Sequence, residues 1–391
     1  LLEEILVAAI TIRLEQPAQQ EIKAERVSGL SDIAPALDKS HAELTNMVYL
    51  RAAVLKALEG RSVSVQTSGR DVWLYLDKPL QNQDTPAWNP ISLPEVKRGK
   101  LLSWTSKMGT PSFSLPAGAP SMGGSCVGAY GGQTIVSPIS YNTQKKRVLK
   151  VLGLQDYEAE NTVCQHCYAE GGQYATGNVQ VYQLMRQAWA KAAVQDGSFV
   201  ETMSWAIRNA NFYIPGKGLS AVKDDDDKPI IDAKTGLPLK LANRGERDLK
   251  RYFRIHDSGD FFNPDYIAAW KAVADANPDI TFWAPSRVWA VDDMRAAVNE
   301  INKDPKNLII RPSSYTINGP APKDIGPGWA GGSTVFAEDE KVGNKDFDWD
   351  CRAYLTDTQN VTCRDAEAPD GERGCRACWK RPDLRINYTL H

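Results

Sequence analysis

An excess of charge of either sign is missing from this sequence. Lys and Arg number 46 against 48 Asp and Glu, a formal net charge of −2. No global basic field therefore draws the chain onto nucleic acid, although a local basic face is compatible with that total. Long apolar runs are missing too. Residues 1–12 are apolar but carry Glu3 and Glu4, and they fall short of the roughly 20 residues that a bilayer span needs. They also lack the basic stretch that opens a secretory signal. A short helix or buried strand is the expectation there, with no membrane partner. Cysteine is too sparse for a disulfide scaffold, at seven in 391 residues. Two CxxC pairs indicate instead metal or redox chemistry in a reducing compartment.

What is present suits a folded chain. Hydrophobic residues make up 42% and charged residues 24%, enough apolar matter for a sizeable core. Residues 1–105 read as an N-terminal α+β module. Residues 40–58 keep helical spacing through Leu44, Met47, Val48, Ala52, Leu55 and Leu58, with Gly60 as the stop. Two short β runs, 62–65 and 72–76, then flank Ser68-Gly69, a hairpin signal. Such a module serves packing, or binds nucleic acid or protein. Residues 109–141 are rich in Gly, Pro and Ser and read as loop. After Gly177, Val181, Leu184, Met185, Ala188, Trp189 and Ala192 form an apolar helical stripe. A polar insertion spans 214–247, with an acidic run Lys223-Asp224-Asp225-Asp226-Asp227-Lys228 that reads as a solvated loop.

From residue 252 strands and helices alternate. Strands are expected at 252–256, 280–284, 308–310 and 334–337, with helices after Asn263-Pro264 and over 292–301. Alternation of this kind implies parallel strands with right-handed crossovers. The expected fold is α/β: a full or partial parallel β/α barrel over 106–340, with the N-terminal extension before it and a cysteine-rich, metal-binding segment at 341–391. A barrel places its chemistry at the C-terminal strand ends. Polar residues stand there in succession: His256, Asp257, Ser258 and Asp260, then Ser286 and Arg287, then Arg311 and Ser313, then Glu338 and Asp339.

The cysteines fall into two groups. Cys351, Cys363, Cys375 and Cys378 form C-x11-C-x11-C-x2-C, with spacers that hold Pro369, Gly371 and Gly374 and little that is apolar. Four thiolates suit tetrahedral zinc or a 4Fe–4S cluster, and a metal would organise a segment that lacks a core of its own. Cys164 and Cys167 form the second CxxC, in Cys164-Gln165-His166-Cys167-Tyr168-Ala169, and Cys126 lies upstream in the Gly-rich loop. Three thiolates on a 4Fe–4S cluster leave one iron open to a ligand, and four close it.

The order FSLPAG, then Cys126, CQHCYA, FRIHDSGDFFNPDYIAAWKAVADANPDITFWAPSRVW and the C-terminal cysteines resembles the phage gene product 88 family. It is also similar to radical S-adenosylmethionine (SAM) enzymes. The resemblance covers about 110–380. It implies a phage enzyme in the host cytoplasm that cleaves SAM reductively, with one or two 4Fe–4S clusters. Cys126, Cys164 and Cys167 would hold the catalytic cluster, with Tyr168 as the aromatic residue after the last cysteine. Ser258-Gly259-Asp260 would match the small-Gly-carboxylate turn that receives the SAM ammonium. Arg254, His256, Arg287 and Arg311 would line the barrel mouth toward a substrate, a nucleotide or nucleic acid. The C-terminal cysteines would form an auxiliary site. Two features depart from the pattern: 37 residues separate Cys126 from Cys164, and Asp stands in place of Glu. The rival expectation is a non-catalytic phage protein whose cysteines bind zinc, with a protein or nucleic-acid partner.

Overall fold

A computed structural model describes residues 11–13, 50–51, 53–84, 93–105, 108–120, 123–129, 163–170, 172–210, 251–336, 347–351, 363, 368–369 and 375–389. The polar insertion, Glu338 and Asp339, and residues 40–49 of the expected first helix lie outside them, as does most of the apolar start.

Three sheets are present among the described residues. The first is antiparallel, in the order β1 (Thr11–Arg13), β2 (Ser62–Ser68), β3 (Asp71–Leu80), β4 (Val96–Lys100). The hairpin expected at Ser68-Gly69 forms, and Gly69 supplies the positive φ, +62°, that its turn requires. The inner face of this sheet carries Val63, Val72, Leu74 and Leu76, all buried. It packs on the helical residues 53–58 and on α1 (Gly177–Asp196). Gly99 is obligatory there, because a Cβ would sit 2.6 Å from the Tyr182 ring of α1.

The second sheet has the order β5 (Ser103–Thr105), β6 (Thr110–Phe113), β7 (Arg251–Ile255), β8 (Ile280–Ser286), β9 (Leu308–Pro312). The edge pair β5–β6 is antiparallel and every other pair is parallel. Strand β6 falls inside the stretch expected to be loop, and the boundary expected at 105/106 falls within the β5–β6 hairpin. One face of the sheet is covered by helices: α1, α2 (Phe199–Asn209), α3 (Pro264–Asp275) and α4 (Asp292–Ile301). Helix α3 starts as its sequence dictates, with Asn263 Oδ1 accepting from Tyr266 N at 2.8 Å and Pro264 in the first turn. Phe113, Phe253 and Phe282 from the strands meet Trp189, Phe199 and Trp270 from the helices, with Phe199–Trp270 and Trp189–Phe199 centroids both 5.4 Å apart. Burying each such side chain stabilises the fold by about 1.5–3 kcal/mol, so this aromatic cluster anchors the layer.

The other face corrects the expectation of a full, closed barrel. Among the described residues the sheet is open, and its second face is covered by the cysteine-rich segment. Tyr252, Trp283 and Ile309 form one buried cluster with Met108, the four C-terminal cysteines, Trp379 and Ile386. The fourth expected strand exists as β10 (Ser333–Phe336), but it belongs to a third sheet. That sheet runs β10, β12 (Ile386–Thr389), β11 (Trp349–Asp350), all parallel. A bridge between Ser313 and Ser333 ties it to the end of β9.

Arg311 moves with this correction. It is fully buried, and its guanidinium donates to the carbonyls of Gly331 at 2.5 Å, Arg381 at 2.9 Å and Leu384. It fastens the C-terminal segment to β9 and does not line a mouth.

Candidate functional site

The C-terminal ends of β6, β7 and β8 gather most of the expected site residues. After β6 the chain folds tightly: Leu115 N–H donates to Ser258 O, Gly124 N–H to Ala119 O, and Cys126 N–H to Gly118 O, at 2.9–3.0 Å. The loop then presses on β7 and β8. Gly259 has φ +86°, and a Cβ there would lie 2.5 Å from Ser125 Oγ and 2.6 Å from Leu115 Cβ. A Cβ at Gly128 would lie 2.2 Å from Arg287 O. The glycine of the Ser258-Gly259-Asp260 turn thus lets the Cys126 loop approach.

Cys126, Cys164 and Cys167 come together across their 37-residue separation. Cys126 packs in one small cluster with Ala119, Ala129 and Cys164. Burial pushes its thiol pKa well up, and Asp260, Cys167 and Cys164 push it further. Val163 N–H donates to Tyr315 O at 3.0 Å, which pins the CxxC loop to the chain beyond β9. Arg287, whose Nε donates to Ser314 O at 3.0 Å, lies within electrostatic reach of all three thiols. Burial alone would lower its pKa, but Cys164, Cys167, Asp260 and Cys126 outweigh burial and raise it.

Asp260 is buried and already engaged. Its Oδ1 accepts from Ser286 Oγ at 2.7 Å and Phe261 N at 2.8 Å, and its Oδ2 accepts from Arg287 N at 2.9 Å. Burial raises the carboxyl to about 6 against these bonds. It ties the end of β7 to the end of β8. Asp257, three residues earlier, has the spare acceptor: Oδ2 takes Tyr174 OH at 3.1 Å, and Oδ1 is buried with no partner. Ser258 Oγ is likewise buried and unmatched. Buried polar atoms without partners are rare and call for an explanation such as an absent ligand.

Tyr168 stands 55% exposed beside this group. Its hydroxyl donates to Asp257 O and accepts from Arg254 Nη2 at 2.9 Å, which holds the ring in place. Arg254 also donates to His256 O at 3.2 Å and lies over the Trp283 ring at 5.1 Å.

His256 does not face the opening. It is 1% exposed, sits at φ +61°, and packs between Phe261 and Tyr266 with Nε2 3.0 Å from Tyr266 OH. Burial, reinforced by Arg254, lowers its pKa to about 3, so the ring is neutral at pH 7. A histidine buried neutral opposes acid. Its contribution is complete above the unfolded pKa of about 6.5 and is lost as pH falls toward about 3. The His256→Asn variant, whose side chain tolerates positive φ, is expected to lack this loss. Urea melts of both proteins from pH 6.5 to 5 should diverge by up to about 1.4 kcal/mol per pH unit.

Four side chains of this region were not singled out from the sequence: Asp257's partner Tyr174, and Gln180, Gln183 and Gln187 of α1. Gln183 Nε2 donates to Ser114 Oγ at 3.2 Å and Gln187 Nε2 to Gly124 O at 3.1 Å, so a polar stripe of α1 holds the Cys126 loop. The glutamines recur at i, i+3 and i+7, a helical face legible beside the apolar one.

The second cysteine group also converges. Cys351, Cys363, Cys375 and Cys378 line one small cavity with Trp349, Arg376, Trp379 and Ile386. Tyr388 OH lies 3.1 Å from Cys378 Sγ. Burial raises the Cys363 thiol to about 12, helped by Cys378 and opposed by Arg376. None of the seven cysteines is in a disulfide. Among the described residues, no group of three or more His, Cys, Asp or Glu side chains is arranged to hold a metal ion as it stands. Also among them, no helix is long and apolar enough to cross a membrane.

Known proteins place the chain. The Gene 88 protein of Mycobacterium phage L5 is 55% identical over 66 residues, which are 16% of this chain and 28% of that protein. The Gene 88 protein of Mycobacterium phage D29 is 53% identical over a stretch of the same length and coverage. The aligned part is thus well under half of either relative. No solved structure matches. The model of the Gene product 88 family matches residues 78–381, from within β3 to beyond the last of the C-terminal cysteines, and the chain belongs to that phage family.

Proposed function

We propose that this chain is a radical-SAM-like iron–sulfur enzyme. One observation carries the reading: three cysteines from two separate loops meet at the C-terminal ends of parallel strands. That is where an α/β sheet places its chemistry. Cys126, Cys164 and Cys167 would hold a 4Fe–4S cluster with one iron open to SAM, and together these cofactors would supply reductive cleavage of SAM and hydrogen abstraction.

The residues of the chain itself have definable parts. Arg287 balances the negative charge of three thiolates. Ser286 and Asp260 lock the strand ends against each other. Because Asp260 already accepts three hydrogen bonds, Asp257 Oδ1 is the better acceptor for a ligand ammonium. Tyr168 and Tyr174 hold Asp257 in place, by its backbone carbonyl and by Oδ2. At the C-terminal group four thiols around one cavity suit zinc and a second cluster alike. Thiolate ligands and the lack of disulfides fit the host cytoplasm. The substrate proposed is a nucleotide or nucleic acid.

Anaerobic purification with iron, zinc and sulfide analysis tests the reading. The expected result is iron with matching sulfide, absorbance near ~400 nm, and an altered electron paramagnetic resonance signal on adding SAM. Zinc alone without sulfide would sink the enzyme reading and leave a zinc-stabilised binding protein.

A further inference from the structure

The N-terminal sheet has a second face that the site does not use. Its side chains alternate out of the sheet opposite the buried Val63, Val72 and Leu74. Trp73 and Tyr75 of β3 stand there two residues apart. On β4, Lys100 pairs with Trp73 and Arg98 with Tyr75. On β2, Gln66 and Ser64 take the matching places. Neither aromatic ring belongs to the hydrophobic core among the described residues. Cations lie against both rings: Arg98 is 4.5 Å over the Trp73 ring and 5.9 Å from Tyr75, and Lys100 is 5.3 Å over Trp73. Arg98 and Lys100 are exposed, as is Arg70 in the hairpin turn, against two acids on this face of β3: Asp71, paired with Lys100 at 2.7 Å, and the exposed Asp77. The face is thus locally cationic in a chain of net charge −2.

We infer that this face binds single-stranded nucleic acid, with bases stacking on Trp73, Tyr75 and the Arg98 guanidinium, and phosphates meeting Arg98 and Lys100. Aromatic rings interleaved with cations on an open antiparallel sheet match what unpaired bases and a phosphate backbone require. A duplex keeps its bases stacked on each other and offers such a flat face only its backbone. Gln66 and Ser64 add hydrogen-bonding groups that a purely apolar protein partner would leave unmatched. The inference goes beyond the enzyme reading and does not depend on it.

Fluorescence anisotropy of the full chain tests it. The probes are labelled oligo(dT) and oligo(U) of about 20 nucleotides, the length range that a single-strand groove tracks, with a duplex of equal length for comparison. Both single strands, or one of them, should bind more tightly than the duplex; the arm that binds more tightly identifies the sugar. Trp73→Ala should weaken binding about tenfold or more, and Trp73→Phe should keep most of it. Lys100→Ala should flatten the dependence of log K on log salt by about 0.7. Trp73 is off the core, so its variants should melt as the parent does. Absence of binding, equal binding of the duplex, or unchanged affinity in a folded Trp73→Ala protein overturns the inference.

Discussion

Arg311→Met is expected to destabilise the chain by about 3–5 kcal/mol. Three part-buried carbonyls, on Gly331, Arg381 and Leu384, lose the guanidinium donor, although Arg381 O keeps a bond from Leu384 N–H at 3.3 Å, and each acceptor that neither protein nor water then matches costs about 1–3 kcal/mol. Methionine fills most of the volume and removes a buried charge, which offsets part of that loss. The carbonyl count decides the sign. Lysine at 311 is expected to rescue little, because a point ammonium cannot span carbonyls that a planar fork reaches together. Two measurements check this: the urea midpoint, and limited proteolysis, which should release the C-terminal segment from the variant before β7–β9 is cut. A variant that melts with the parent and keeps that segment protected would show that the fastening is redundant.

Cys126→Ala should give the largest functional effect. The anaerobically reconstituted protein is expected to lose about four irons per chain, one 4Fe–4S centre, along with every spectral response to SAM. The fold should survive, since the side chain packs with Ala119 and Ala129 and a methyl group takes the place of a thiol. Cys351→Ala, in contrast, should leave the SAM response intact while metal bound at the C-terminal cavity is lost. Unchanged iron in Cys126→Ala would mean that the three cysteines do not share a centre.

Much of this architecture is readable from residue patterns. Strands β7, β8 and β9, the capped helix at Asn263-Pro264 and the hairpin at Ser68-Gly69 follow from periodicity and turn chemistry, because local forces set them. Strand β6 does not. Its Pro111 and Ser112 look like loop, and parallel pairing with β7 and the burial of Phe113 make it a strand. Sheet membership was hidden as well. Ser333–Phe336 has the composition of a barrel strand, yet it pairs with a partner more than 50 residues later. What covers a sheet face is a tertiary fact, so the filling of the second face by the cysteine-rich segment left no local trace.

The candidate site divides the same way. The seven cysteines and their three-plus-four grouping can be read from spacing, and so can the carboxylate after Gly259. Side-chain direction cannot. His256 turns into the aromatic layer, Arg311 into the C-terminal segment, and Asp260 toward the β8 turn, while Asp257 keeps the unmatched oxygen.

The cover over Tyr252, Trp283 and Ile309 has a consequence for biosynthesis. Most of the residues that shield this aromatic face are translated after the strands they cover, so the nascent sheet emerges from the ribosome with one side wet and sticky. Contacts of such long sequence separation form slowly, and a half-covered sheet is prone to aggregation. Any metal that closes the four-cysteine cavity binds the folded form in preference to the open one. Metal supply in the infected cell would then set how much of the newly made chain escapes into its finished form.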